Sequence, residues 1–336
     1  MLLMAGDVGG TKTYLALFES REDGSLVEVR GERYASASFP GLGPMVERFC
    51  GRLAPSVGAA AFGVAGPVLD GRCRATNLPW RLDERVLQQE LGISRVRLMN
   101  DFHASALGIL TLPREELEVL QDRPADPDGL IAILGAGTGL GEAIVLPGGR
   151  GLGATGARVV VSEGGHCDFA PRNEVEIDLL RHLLRRHERV SYERVLSGPG
   201  LVAIYEFVVS SGLVPEAEVV REELASGDPA AVIGDRGIAG SDPACVKALD
   251  IFVSLYGAEA GNLALKVLPT GGVYLAGGIA PRILGKLRAG GFVEAMTAKG
   301  RMSPMLEGLR VSVVMNPKVG LIGAGRSAAG LVTAAS

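Results

Sequence analysis

"GDVGGTKTYLAL", residues 6–17, is the stretch that decides the fold. Its glycines, threonines and lysine suit a phosphate-binding loop, but not in the Walker A spelling, G-x-x-x-x-G-K-[ST] at the start of a helix. Thr11 separates Gly10 from Lys12, and Tyr14, Leu15, Ala16, Leu17 and Phe18 then form an apolar and aromatic run of strand length. A second apolar run, Leu2 to Ala5, comes before it. The stretch reads as strand, Gly-Gly turn, strand: a hairpin whose tip carries Asp7, Gly9, Gly10, Thr11 and Lys12. Asp and Gly are ordinary turn residues, so a plain hairpin and a phosphate cradle both fit. Thr11 and Lys12 favour the cradle, because a turn without Cβ atoms lets backbone N–H groups reach phosphate oxygens while Asp7 could hold a magnesium ion through water.

The 336 residues suffice for two domains with cores of their own, and 47% hydrophobic with 21% charged residues is ordinary for a globular protein. A net charge of -4 with scattered Lys and Arg argues against nucleic acid as a partner. Cys50, Cys73, Cys167 and Cys245 lie far apart with no C-x-x-C pair, which disfavours a zinc cage and a disulfide framework; they are expected to be reduced and mostly buried. "MLLMAG" has no basic leader, and no stretch of about eighteen apolar residues occurs. The expectation is a cytoplasmic chain without a membrane partner.

Farther along, "GPMVERFCGRLA" reads as a helix, "AAAFGVAGP" as a buried strand, "RLDERVLQQELG" as a helix closed by Gly92, and "RVRLMNDFHASALGIL" as a strand entering a helix at Asn100 and Asp101. "QDRPADPDG", residues 121–129, is the best linker candidate. "LIAILGAGTGLGEAIVL" then repeats the first hairpin: Gly137-Thr138 followed by Ala143-Ile144 matches Gly10-Thr11 followed by Ala16-Leu17 at the same spacing. "EVEIDLLRHLLRR" is expected to place Ile177, Leu180, Leu183 and Leu184 on one helix face. Pro243 to Val267 reads as a long helix, "GGVYLAGGIAPRIL" as strand, Gly277-Gly278 and helix, and the small-residue-rich "VGLIGAGRSAAGLV" as a helix packing back on the first domain.

One literal G-x-G-x-x-G exists, at Gly151, Gly153 and Gly156, but the strand-like "ARVVVSEGG" follows it where a dinucleotide fingerprint must open a helix. No G-x-S-x-G is present. The informative group is Asn100, Asp101, Glu163, His166 and Glu193, compact polar side chains beside glycines or apolar strand residues. A polyol offers only hydroxyls, so its site needs the acceptors and mixed donors that carboxylates, an amide and an imidazole supply. Taken singly, an Asp at a strand-to-helix junction also reads as an N-cap, and a His beside Gly-Gly as a structural histidine.

"DVGGTKTYLAL", "LMNDFHASALG", "ILGAGTGLGEAIV", "SEGGHCDFAPR", "ERVLSGPGL" and "VYLAGGIAPRI", in that order, resemble the bacterial ATP-dependent glucokinases of the hexokinase and actin superfamily, over nearly the whole chain. The resemblance implies an α/β, two-domain duplicated actin/hexokinase-like (ribonuclease H-like) fold with an interdomain cleft, divided as 1–111 plus 318–336 and 112–317. It implies ATP and magnesium as cofactors, glucose phosphorylated at its 6-hydroxyl, and a homodimer. By the same resemblance Asp101 is the general base, and Asn100, Glu163, His166 and Glu193 contact the sugar. Asp7 to Lys12 then form the first phosphate loop, Gly137-Thr138-Gly139 the second and Gly277-Gly278 the adenosine segment, with magnesium near Asp7. The related repressor and sugar-kinase family (ROK) carries a C-x-C-G-x-x-G-C zinc motif after its Gly-His pair; here Gly165-His166 is followed by Cys167 alone, which assigns His166 to sugar. A sugar-responsive transcriptional regulator would carry a helix-turn-helix ahead of the hairpin, which begins within the first ten residues. A kinase for another hexose stays open.

Overall fold

The computed structural model describes residues 1–21, 23–51, 56–75, 78–148 and 156–333. The chain forms two compact units, Met1–Arg114 with Pro147–Val161 and Asn316–Ser336, and Glu115–Leu146 with Ser162–Met315.

In the first unit, β1 (Leu2–Val8), β2 (Lys12–Ser20), β3 (Leu26–Ala35), β4 (Val57–Val64) and, later in the chain, Val96–Asn100 build one sheet. Between the last two, β5 (Val68–Leu69), β6 (Arg72–Arg74) and β7 (Arg81–Asp83) make a small antiparallel sheet, so Val96–Asn100 is β8. The main order is β3-β2-β1-β4-β8; β1 pairs antiparallel with β2 and parallel with β4, and β4 parallel with β8. Central parallel strands are covered on both faces, which explains the nearly unbroken apolar run of β4. On one face, Met4, Leu15 and Phe62 pack with Met45 and Phe49 of helix Leu42–Cys50 and Leu87 of helix Glu84–Leu91. On the other, Leu3, Ala5, Ala59 and Ala61 pack with Ala104 of helix Asp101–Ile109 and with Leu321 and Ala324 of helix Val319–Thr333. Those two helices touch backbone to backbone: a Cβ on Gly108 would lie 2.0 Å from Val319 O, and one on Gly323 1.7 Å from Ala104 O. The small residues near the C-terminal end thus serve to dock the Asp101 helix.

In the second unit, β9 (Leu117–Gln121), β10 (Ile131–Ala136) and β11 (Leu140–Leu146) precede β12 (Arg158–Ser162), where the chain returns from the first unit, and β13 (Gly272–Ala276) and β14 (Val311–Val314) follow. The order β11-β10-β13-β14 repeats β2-β1-β4-β8, with one antiparallel pair followed by two parallel ones. β9 extends it antiparallel to β14. Helix Pro243–Val267 is buried along most of its length, and its Tyr256 hydroxyl accepts from Ala136 N and donates to Leu134 O, each at 3.3 Å.

Two expectations change. Residues 121–129 lie inside the second unit, between β9 and β10; the chain crosses at Arg114 and Glu115 instead. Helix Glu174–Leu183 buries Glu176, Leu179 and Leu183, while Leu184 is its C-cap and is exposed. The buried Glu176 carboxyl is held by Arg172 through its backbone N (2.7 Å) and its guanidinium, so the inner face of this helix carries an acid as well as leucines. Cys50, Cys73 and Cys245 are buried and Cys167 is exposed, all as free thiols. Gly151 and Gly153 lie outside the described residues. Among the described residues, no helix is long and apolar enough to cross a membrane.

Candidate active site

The residues singled out from the sequence fall into two groups, one in each unit.

In the first unit, the β1–β2 turn is pinned from a distance by Ser36, fully buried just beyond β3. Its Oγ donates to Gly9 O (2.7 Å), its backbone N donates to Thr11 O (3.0 Å), and the Thr13 hydroxyl lies 2.9 Å from its Oγ. With the Ser36 proton on Gly9 O, Thr13 donates to Ser36. Gly9 N closes the turn on Lys12 O at 3.1 Å. The carbonyls of Gly9, Thr11 and Lys12 are therefore tied back as acceptors, which removes the oxygens that would repel a phosphate at this tip. Lys12 is exposed and pairs with Ala35 across β2 and β3. Nothing in the sequence marks Ser36, a serine in a polar stretch far from the turn it serves.

Asp7 stands near the end of β1, between Tyr14 of β2 and Gly63 of β4. Burial, and then the charge of Asp101, push its carboxyl up to about 6, with Arg33 opposing. Asp101 opens its helix at the end of β8, where Gly63 makes room: a Cβ there would lie 3.0 Å from Ala104 Cβ and 3.5 Å from Asp101 Cα. The N-cap is Asn100, whose Oδ1 accepts from Phe102 N (2.9 Å) and His103 N (3.2 Å), while its Nδ2 donates to Gly66 O (3.3 Å). Asp101 Oδ1 also accepts from Phe102 N, at 2.8 Å.

In the second unit, Gly137 N donates to Gly139 O and Gly137 O accepts from Gly198 N, each at 2.8 Å. That seats the second turn on the start of helix Gly198–Ser210, whose cap is Ser197. Gly277 and Gly278 follow β13, the parallel neighbour of β10, so both glycine turns leave the same end of the sheet. Gly277 has φ 81°, and a Cβ on it would meet Ala136 O at 2.5 Å, so glycine is required twice over. Thr138 is exposed at the tip.

Glu163, His166 and Glu193 come together beside this turn. His166 Nε2 lies 3.9 Å from Glu163 Oε2, and its Nδ1 4.0 Å from Glu193 Oε1. The other Glu193 oxygen accepts from Leu140 N at 2.9 Å and sits where a Cβ on Gly139 would be, 2.4 Å away. Glu163 and His166 are well exposed and Glu193 less so. An imidazole flanked by two carboxylates, open to solvent, presents the acceptors and the donor that a polyhydroxylated ligand needs.

Among the described residues, no group of three or more His, Cys, Asp or Glu side chains is arranged to hold a metal ion. Magnesium needs less: it commonly takes one or two carboxylates and completes its shell with water and substrate phosphates. Asp7, its charged form penalised by burial and by Asp101, is a carboxylate that a cation would relieve, so the donor set fits.

The glucokinase family model matches residues 4–331. The chain is 46% identical to a glucokinase of Nostoc punctiforme over 344 residues, covering 98% of this chain and 99% of that one. The crystal structure of a glucokinase from an Antarctic psychrotroph superposes with a TM-score of 0.83 at 28% identity, covering 98% of both chains. A ROK family glucokinase from Streptomyces griseus, solved with glucose and AMPPNP, shares the fold at 23% identity, with a TM-score of 0.65 and coverage of 98% and 99%. A likeness that runs from end to end and carries both glycine hairpins places the chain in the glucokinase family.

Proposed function

We propose that the chain transfers the γ-phosphoryl group of ATP to the 6-hydroxyl of glucose, with Asp101 accepting the proton of that hydroxyl. Family membership and the glucose and AMPPNP bound to the Streptomyces griseus neighbour support the substrate pair. The observation that carries the role of Asp101 is the division of labour at its helix start: Asn100 supplies the cap, so Asp101 is not needed for that task. In this reading Glu163, His166 and Glu193 hold the sugar hydroxyls, together with Asn100. Gly9 to Lys12 and Gly137 to Gly139 hold phosphates, and Gly277-Gly278 lies against the nucleoside.

Asp7 would hold magnesium, which when bound neutralises the charge of the phosphate oxygens. The transition state of phosphoryl transfer is loose, so the protein's part is to align the hydroxyl and shield it from water. A homodimer, a cytoplasmic location and the division 1–111 plus 318–336 against 112–317 complete the reading and rest on the family resemblance.

Asp101→Asn tests it. Asparagine keeps the size and some hydrogen bonding but cannot take the proton, so kcat should fall by roughly 10²- to 10⁴-fold while calorimetric glucose affinity largely survives. Glu193→Gln should instead raise the glucose KM. Near-wild-type turnover of Asp101→Asn removes it from the reaction, and a hexose panel that favours another sugar replaces glucose.

A further inference from the structure

His166, one of the side chains proposed to hold the sugar, is exposed, and its two carboxylate neighbours stand off from it. Its ring nitrogens lie 3.9 Å from Glu163 Oε2 and 4.0 Å from Glu193 Oε1, beyond hydrogen-bond reach. The imidazole therefore stands where its backbone puts it.

That backbone is held from two sides. Toward β11 the turn is pressed against the strand: a Cβ on Gly164 would lie 1.9 Å from Glu142 Oε2, so that carboxyl fills the space a side chain would take, and a Cβ on Gly165 would lie 2.2 Å from Leu140 O. Gly164 N is held by Ser162 Oγ at 3.0 Å, and His166 N closes on Glu163 O at 2.9 Å. On the other side, the chain leaving the turn pairs antiparallel with the segment that leads into Glu193. Tyr192 N donates to Cys167 O and Phe169 N to Val190 O, each at 2.9 Å, with Asp168 opposite Ser191 between them. By the same register His166 stands opposite Glu193.

The segment before Glu193 is the fixed member of this pair. Val190 and Tyr192 are each 3% exposed, and the Tyr192 ring meets Phe169 edge-on with centroids 5.7 Å apart. The Tyr192 hydroxyl accepts from Asn262 Nδ2, on helix Pro243–Val267, at 2.9 Å. Glu193 follows Tyr192 directly and shares its anchor. His166 lies one residue outside the backbone pairing and needs a tie of its own.

Arg189 supplies it. The residue precedes Val190, at the far end of the pairing from His166, and its side chain runs back past Asp168. Nη1 donates to Asp168 Oδ1 at 2.8 Å and to His166 O at 2.7 Å, one bond for each hydrogen it carries. A guanidinium on a carbonyl is a charge-assisted bond, stronger than a neutral one. Arg189 and Asp168 are both well exposed, so their ion pair does little for stability; it keeps Nη1 over the His166 carbonyl.

We propose that Arg189 is a positioning residue for glucose binding: by holding the His166 carbonyl it keeps the imidazole between Glu163 and Glu193, and it acts on the sugar through His166 rather than by contact. Without this donor the peptide that follows His166 turns toward water for a hydrogen bond and carries the ring with it. The inference rests on His166 as a sugar ligand.

The test is the kinetics of the full-length enzyme carrying Arg189→Met, which keeps the apolar stem and deletes the donor. The glucose KM should rise about threefold or more, with kcat and the ATP KM changing by less than about twofold. A smaller rise overturns the proposal, and so does a loss shared by kcat and the ATP KM, which reports a general loosening. His166→Ala supplies the second arm. Adding Arg189→Met to it should raise the glucose KM by less than about 1.5-fold further, because the ring that Arg189 positions is gone. A larger added rise shows Arg189 acting elsewhere and defeats the proposal alone. An unchanged glucose KM in His166→Ala itself removes His166 from the sugar site and takes the proposal with it.

Discussion

The two glycine hairpins, β1–β2 and β10–β11, share a backbone plan and differ in what holds them. The first turn is pinned by neutral hydroxyls, Ser36 and Thr13, on the carbonyls of its own tip. The second is pinned by a carboxylate, Glu193 on Leu140 N, with another acid, Glu142, two residues along the same strand. A sheet order of one antiparallel and two parallel pairs thus fixes where a turn stands, while side chains from elsewhere decide whether a hydroxyl or a carboxylate holds it. On this comparison the hydroxyl anchors of the first turn should hold at any pH, and the titrating group on that hairpin is Asp7.

The hardest test of that contrast is Asp7→Asn, because Asp7 is the one raised acid on the first hairpin. Its folded carboxyl lies above its ordinary value, so the stability it carries is complete below about pH 4 and lost as pH rises through about 6. Asparagine removes that loss. The variant should be about 1–2 kcal/mol more stable than wild type at pH 8 by urea unfolding, yet turn over at least ~10²-fold more slowly if, as proposed, this carboxylate holds magnesium. A variant less stable at pH 8 would show that Asp7 is not strained by its burial.

Ser36→Ala is the next largest. It strands Gly9 O and the Thr13 hydroxyl, at a cost of roughly 1–3 kcal/mol in stability, and should raise the ATP KM by about tenfold without touching the glucose KM. The ATP effect should be equal at about pH 6 and about pH 8.5, since no titrating group is removed. A pH-dependent penalty would erase the distinction between the two turns.

The smallest effect belongs to Lys12→Ala. The residue is exposed on β2, so stability should change by less than ~0.5 kcal/mol and ATP use should suffer less than in Gly10→Val, which obstructs the turn backbone itself. The reverse order would make the lysine charge, rather than the backbone, the source of phosphate affinity.

Local chemistry was enough to read much of this protein. Apolar runs of strand length on either side of Gly-Gly and Gly-Thr-Gly announce both hairpins, and Gly92 and the Asn100-Asp101 junction mark helix ends where the structure has them. These signals concern residues a few positions apart, and such neighbours meet in any fold the chain adopts. The candidate turns and the Asn100-Asp101 junction were legible for that reason. Ser36 holding Gly9, Glu142 filling the space beside Gly164, Arg172 holding Glu176, and Gly108 and Gly323 bringing two helices into backbone contact were not. Each joins a residue to a partner that its own segment does not specify. Burial supplies the rest of the reason: a serine hydroxyl or a glutamate carboxyl is an unremarked polar group in water, and becomes an anchor only when packing excludes the solvent around it.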